Sequence, residues 1–226
     1  MMNENNNSQN NSQKDFSNYK ESQILRIDGK NCFLEVMIQS LNIGKIQINL
    51  MKYDTNKQKN SRITDKIAIY LDIPKAKSLC NDILSGRIPK LIQLEKERIE
   101  NQNKKNPANK VYPKSIYDIF GGTSTQRLAQ QGKSRSDGKA VSRVFRIIPG
   151  MKADCMFCGE LGPGNETSTG AIQPIINKAE IKIQVPVTFE SLKEFALMVD
   201  MNINAYCTAQ HTVRAFEEKR KAKNKQ

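Results

Sequence analysis

The sequence offers little with which to do covalent chemistry. It has no tryptophan and one histidine, and only 6% of its residues are aromatic. The histidine, His211, lies one helical turn after Cys207, and no third group at a recognisable spacing would orient such a pair for nucleophilic attack. Glu95 with Glu97 and Glu217 with Glu218 lack the i,i+3 or i,i+4 spacing that stacks two carboxylates on one helical face. No metal-dependent nuclease constellation follows from them. The glycines of "GGTSTQR" are not followed by the Lys-Ser or Lys-Thr of a Walker loop. No run approaches the roughly 18 apolar residues that cross a bilayer. The opening "MMNENNNSQNNSQKDFSNYK" lacks the apolar core of a secretory signal. Five cysteines, an odd number without a dense framework, fit a reducing compartment. The expectation is a cytoplasmic protein with no enzymatic activity and no cofactor.

What is present is positive charge. Lys and Arg number 36 against 23 Asp and Glu, a formal net charge of +13 over 226 residues. Such an excess favours polyanionic partners through long-range attraction and counterion release. Mean hydropathy is −0.61, part of which belongs to polar tails and linkers.

The chain also repeats itself. "DKIAIYLDIPKAKSLCNDIL" from Asp65 and "AEIKIQVPVTFESLKEFALM" from Ala179 each pass from an alternating apolar strand through a Pro-containing step into an amphipathic helix. Residues 1–22, rich in Asn, Ser and Gln, bury too little to offset ordering and read as a disordered tail. Residues 23–87 read as four strands and a helix, with Pro74 in the first helical turn. Residues 88–140 read as a second helix, with Leu91, Leu94, Arg98 and Ile99 along one stripe, then a linker ("NPANKVYPKSIYDIFGG") and a basic, Gly-punctuated mobile loop or hairpin. Residues 141–200 read as a second set of four strands and a helix opened by Thr188. Residues 201–226 read as a further helix and a basic tail. The predicted fold is α+β, two ββββα units paired to close one core in a pseudo-symmetric domain.

Side chains alternate across a sheet. On the strand from Lys45 to Tyr53, Ile46, Ile48 and Leu50 are expected inward, with Lys45, Gln47, Asn49, Met51 and Tyr53 outward. From Ile67, the residues Ile67, Ile69, Leu71 and Ile73 are expected inward, with Ala68, Tyr70 and Asp72 outward. A sheet face bearing cations, amides and rings suits unpaired nucleic acid, where rings stack on bases for roughly 1–3 kcal/mol each. Arg127, Lys133, Arg135, Lys139, Arg143 and Arg146 form the densest basic cluster, a candidate phosphate-contacting flap that Gly132 and Gly138 would let mould to a backbone. Cys155 and Cys158 in "CMFCG", together with Cys207 and His211, have spacings compatible with a four-ligand zinc site. If the first pair lies in a regular strand, however, its odd spacing puts the two thiols on opposite faces. No metal is therefore expected.

The stretch Gly44 to Leu84, a Gly-Lys-led strand, a polar loop and a strand feeding a helix, resembles the single-stranded DNA-binding module of the positive-cofactor-four transcriptional coactivators. Two such units in one chain resemble the Whirly and purine-rich-element-binding architectures, with a weaker second copy from Val141 to Met198. The resemblance implies curved sheets that hold single-stranded DNA or RNA, with Lys45, Gln47, Asn49, Tyr53 and Tyr70 as contacts. The expected function is non-sequence-specific binding of single-stranded DNA in replication, recombination or transfer, on a phage or plasmid among other settings, by a homo-oligomer. An RNA-binding regulator on the same fold and a structural or assembly protein are the alternatives.

Overall fold

The computed structural model describes residues 21–224. Residues 1–20 of the segment read as a disordered tail lie outside them. Strands β1 (Gln23–Asp28), β2 (Cys32–Met37), β3 (Lys45–Tyr53) and β4 (Ile63–Asp72) make an antiparallel meander in sequence order. Helices α1 (Ile73–Leu84) and α2 (Arg87–Lys105) follow. The second half runs β5 (Tyr117–Thr123), α3 (Thr125–Gln130), β6 (Ala140–Pro149), β7 (Cys155–Glu166), β8 (Ile172–Pro174), β9 (Ile181–Val187) and α4 (Phe189–Lys223). Here β5, β6 and β7 are neighbours, and β7 then pairs with β9 along Cys155–Leu161 and with β8 along Gly164–Glu166. The architecture is α+β, two antiparallel four-stranded sheets each leading into a helix, with β8 as a short addition.

The apolar periods explain this arrangement. On β4, Ile67, Ile69 and Leu71 are buried, while Tyr70 is exposed, as alternation requires. Pro74 falls in the first turn of α1, where its missing N–H breaks no helical bond. Gly86, at φ 80°, takes the left-handed conformation that separates α1 from α2. The core joins Leu34, Ile48, Leu50 and Ile67 of the first sheet to Phe157 and Val185 of the second. A chain of rings, Phe145 to Phe157 to Phe195, ties β6 and β7 to α4 with centroid separations of 5.3 and 5.2 Å. Each buried side chain of this size contributes about 1.5–3 kcal/mol. Between the units, Lys77 of α1 pairs with Asp200 of α4 and also bonds Asn204 Oδ1 at 2.8 Å.

The sheets meet closely at one glycine. A Cβ on Gly159 of β7 would stand 3.1 Å from Leu50 Cδ1 and 3.3 Å from Ile67 Cδ1. The bare backbone there lets the side chains of β3 and β4 press onto the second sheet.

Several elements differ from the sequence expectation. The "YDIFGG" linker is strand β5, the edge of the second sheet, so that unit begins before residue 141. The loop after it contains helix α3, capped by Ser124 Oγ accepting the Arg127 N–H at 3.3 Å. The two C-terminal helices are one 35-residue helix, because no Gly or Pro interrupts residues 189–223. The buried stripe of α2 is Ile88, Ile92 and Ile99, whereas Leu94 is exposed. On β3, Gln47, Asn49 and Met51 are buried as well as the apolar set. No helix among the described residues is long and apolar enough to cross a membrane.

Substituting Gly159→Val overpacks the sheet contact. The expected outcome is a loss of about 1–3 kcal/mol, seen as a lower urea midpoint with an unchanged slope. An unchanged midpoint would show that the sheets do not meet there.

Candidate nucleic-acid interface

Strand β4, one edge of the first sheet, passes beside β5 and β6 of the second. An open groove of about 650 Å³ lies along this seam. One wall carries Lys45 of β3, Tyr70 and Asp72 of β4, and Lys75 of α1. The other carries residues 120–123 of β5, Arg143 of β6 and Arg127 of α3. Among its lining residues the cations Lys45, Lys75, Arg127 and Arg143 face one carboxylate, Asp72.

Each cation has its own setting. Lys45 and Asp72 are register partners across β3 and β4, and their side chains form an ion pair. Lys75 approaches the other oxygen of Asp72 at 3.9 Å. The hydrogen bond from Lys45 is the main reason the Asp72 carboxyl sits below its ordinary pKa. A phosphate at Lys45 has to share it with Asp72. Arg127 is exposed on α3, which is anchored by buried Leu128 and by the Thr125 N–H donating to Glu166 Oε1 at 2.6 Å. Arg143 is half-buried and donates from Nη1 to Thr123 Oγ1 at 2.8 Å. Among the described residues it has no ion pair. Burial pulls its pKa below the arginine norm, and nearby Tyr70 opposes the shift. A partly desolvated guanidinium without a carboxylate gains from an anionic ligand. Tyr70 adds a ring that is 46% exposed.

Lys45, Gln47, Tyr70, Arg127 and Arg143 therefore line one groove, but not all are available as contacts. Gln47 is buried: its Oε1 accepts from Gln39 Nε2 at 3.1 Å and Ser40 Oγ at 3.2 Å, and its Nε2 donates to Asn49 Oδ1 at 2.8 Å. Asn49 is wholly buried, and its Nδ2 has no hydrogen-bond partner. Because β3 is a central strand, these amides bond to one another rather than face solvent, which removes Asn49 from the accessible set. Tyr53 sits at the other end of β3, its hydroxyl donating to the Lys30 carbonyl at 3.1 Å and its ring 5.9 Å from Phe33. It lines a separate recess with Lys52 and Asp54.

The basic cluster also divides. Arg135 is committed to Glu180 (2.7 and 2.9 Å) and Asp137 (2.8 and 2.9 Å), which pins the expected mobile loop to the segment before β9. Its hydrogen bond holds the Asp137 carboxyl at about 2. Lys133 and Lys139 on this loop are exposed. Arg146 lies three residues after Arg143 and so on the opposite face of β6. It is paired with Asp118 at 2.7 Å and Glu160 at 3.4 Å, and is not part of the groove. The sequence reading missed Lys75, which the i,i+3 relation to Asp72 could have indicated, and Thr123, the β5 residue that holds Arg143.

The zinc alternative lacks the geometry it needs. Cys155 belongs to the core cluster, and Cys158, three residues along the same strand, points to the other face. Both are buried, and desolvation raises their pKa values to about 12 and about 11. Cys207 and His211 lie on α4. Among the described residues no group of three or more His, Cys, Asp or Glu could hold a metal ion. With native protein, Cys207 is expected to react first with a thiol reagent, while Cys155 and Cys158 react only on unfolding. Rapid native labelling of those two, or one zinc per chain by metal analysis, would contradict this placement.

No protein-family model and no characterised protein matches the chain. Among solved structures it is similar to the plant transcriptional regulator PBF-2, at 12% sequence identity and a TM-score of 0.44, over 85% of this chain and 86% of that one.

Proposed function

We propose that this chain binds single-stranded nucleic acid, with single-stranded DNA as the preferred ligand, and does so without catalysis. The supporting observation is the seam groove, where the exposed Tyr70 ring stands near a half-buried Arg143 that has no carboxylate partner among the described residues. Phosphates suit Arg143, Arg127 and Lys45, and an unpaired base suits Tyr70. Duplex recognition by contrast usually lays a helix or ribbon in the major groove. Stacking and backbone contact are sequence-tolerant, which fits a role in replication, recombination or transfer, on a phage or plasmid among other settings.

Self-association belongs to this reading. The distal part of α4 exposes Val213 and Phe216, the latter at 69%, and their i,i+3 spacing puts them side by side on one helical face where a second copy can pack. Light scattering is expected to give a mass above that of one chain, reduced by the double change Val213→Asp, Phe216→Asp. A monomeric parent would reject self-association alone.

Binding is tested with oligo-dT, oligo-rU and a duplex at two salt concentrations. Oligo-dT is expected to bind most tightly, with a steep salt dependence. Arg127→Ala is expected to make the slope of log K against log salt shallower by about 0.7, the contribution of one phosphate contact on a single strand. Tyr70→Ala is expected to weaken binding about 5- to 150-fold. Preference for oligo-rU would favour the RNA-binding reading. Negligible binding to all three would reject the proposal in favour of an assembly protein.

A further inference from the structure

Resting on the self-association reading, we infer that two copies pair antiparallel through the outward face of α4, with its acidic end set against the basic end of the second copy. Leu192, Phe195, Ala196, Val199 and Ile203 bury one side of the first half of this helix in the core. The opposite side is bare, yet much of it is apolar. Leu197, Met201, Ala205, Thr208, Thr212 and Phe216 follow one another there at steps of three or four, the spacing that keeps side chains on one helical face. All six are exposed, Leu197 at 49% and Met201 at 56%. Val213 stands beside Phe216 at the edge of this stripe. The Thr212 hydroxyl donates to the Thr208 carbonyl at 2.9 Å, so covering it leaves no donor unpaired.

An exposed apolar stripe alone names no partner, but the charges at its ends do. The same steps continue to Glu194 and Glu190 at one end and to Lys219 and Lys223 at the other, all four exposed. Among the described residues none of the four forms an ion pair. The helix dipole accounts for Glu190 in the first turn and Lys223 in the last, but it falls off before Glu194 and Lys219. The spacing also reads the same in both directions. Turned about the point between Tyr206 and Cys207, Glu190 meets the partner subunit's Lys223 and Glu194 meets the partner subunit's Lys219. Leu197 then meets the partner subunit's Phe216, and Ala205 the partner subunit's Thr208. Large side chains face one another toward the ends, and small ones sit at the centre, where the helix axes approach. A parallel pair would instead set Glu194 against Glu194 and Lys219 against Lys219. The face is thus self-complementary, as a two-fold interface requires, and the pair carries two seam grooves.

Sedimentation of the full chain at low salt, without nucleic acid, tests the pairing. Glu194→Lys and Lys219→Glu are each expected to raise the dissociation constant of the parent assembly about 2- to 30-fold, because each removes two symmetry-related attractions. The combined variant Glu194→Lys, Lys219→Glu exchanges the two charges and should return to the parental value. Far-UV circular dichroism of all three should match the parent, since both positions are exposed. If the parent self-associates but the single variants associate equally well, or the combined variant stays as weak as the singles, this pairing is overturned and self-association through another surface stands. A monomeric parent overturns both. Binding of oligo-dT is measured separately, so the groove reading survives either result.

Discussion

The close approach of the two sheets is the constraint on which the rest depends. Gly159 has no side chain, so Leu50 and Ile67 pack directly against β7. Neither ββββα unit covers its own apolar face, and each acts as the other's lid. Once they are pressed together, β4 of one sheet has to pass the β5–β6 edge of the other, and the seam between these edges is the groove. The candidate interface is thus a consequence of how the core closes. Its walls are strands and helices, which hold side chains more firmly than loops do.

Charge in this protein is distributed unevenly in availability. Arg135 and Arg146 are fully engaged with carboxylates and serve as tethers, one for the loop before β6, the other for β5 and β7. Exposed pairs of this kind contribute little energy, but they remove cations from the set that meets a ligand. Arg143 differs because its partner is a hydroxyl. The excess of 36 basic over 23 acidic residues therefore describes long-range attraction, while a few groups at the seam determine where an anion can rest.

Much of the scaffold was legible in the sequence. The alternation on β4 placed Ile67, Ile69 and Leu71 inward and Tyr70 outward, and Pro74 and Gly86 marked the boundaries of α1. The second sheet was harder. In "VYPKSIYDIFGG" a Pro and two Gly sit beside a short apolar run, which reads locally as a linker; pairing with β6 makes it a strand, and that is a tertiary effect. Asn49 shows another limit: alternation assigned its face correctly, but periodicity cannot say whether that face meets solvent. Arg143 and Arg146 looked alike in a basic cluster until the strand placed them on opposite sides of one sheet.

Photocrosslinking tests the central claim most directly. An oligonucleotide carrying 5-iodo-deoxyuridine is irradiated with the full chain, and the attached peptides are identified by mass spectrometry. The account predicts adducts at the seam, on the peptides that contain Tyr70 and Arg143. Adducts confined to Tyr53 or to the distal end of α4, with the seam unmodified, would contradict it.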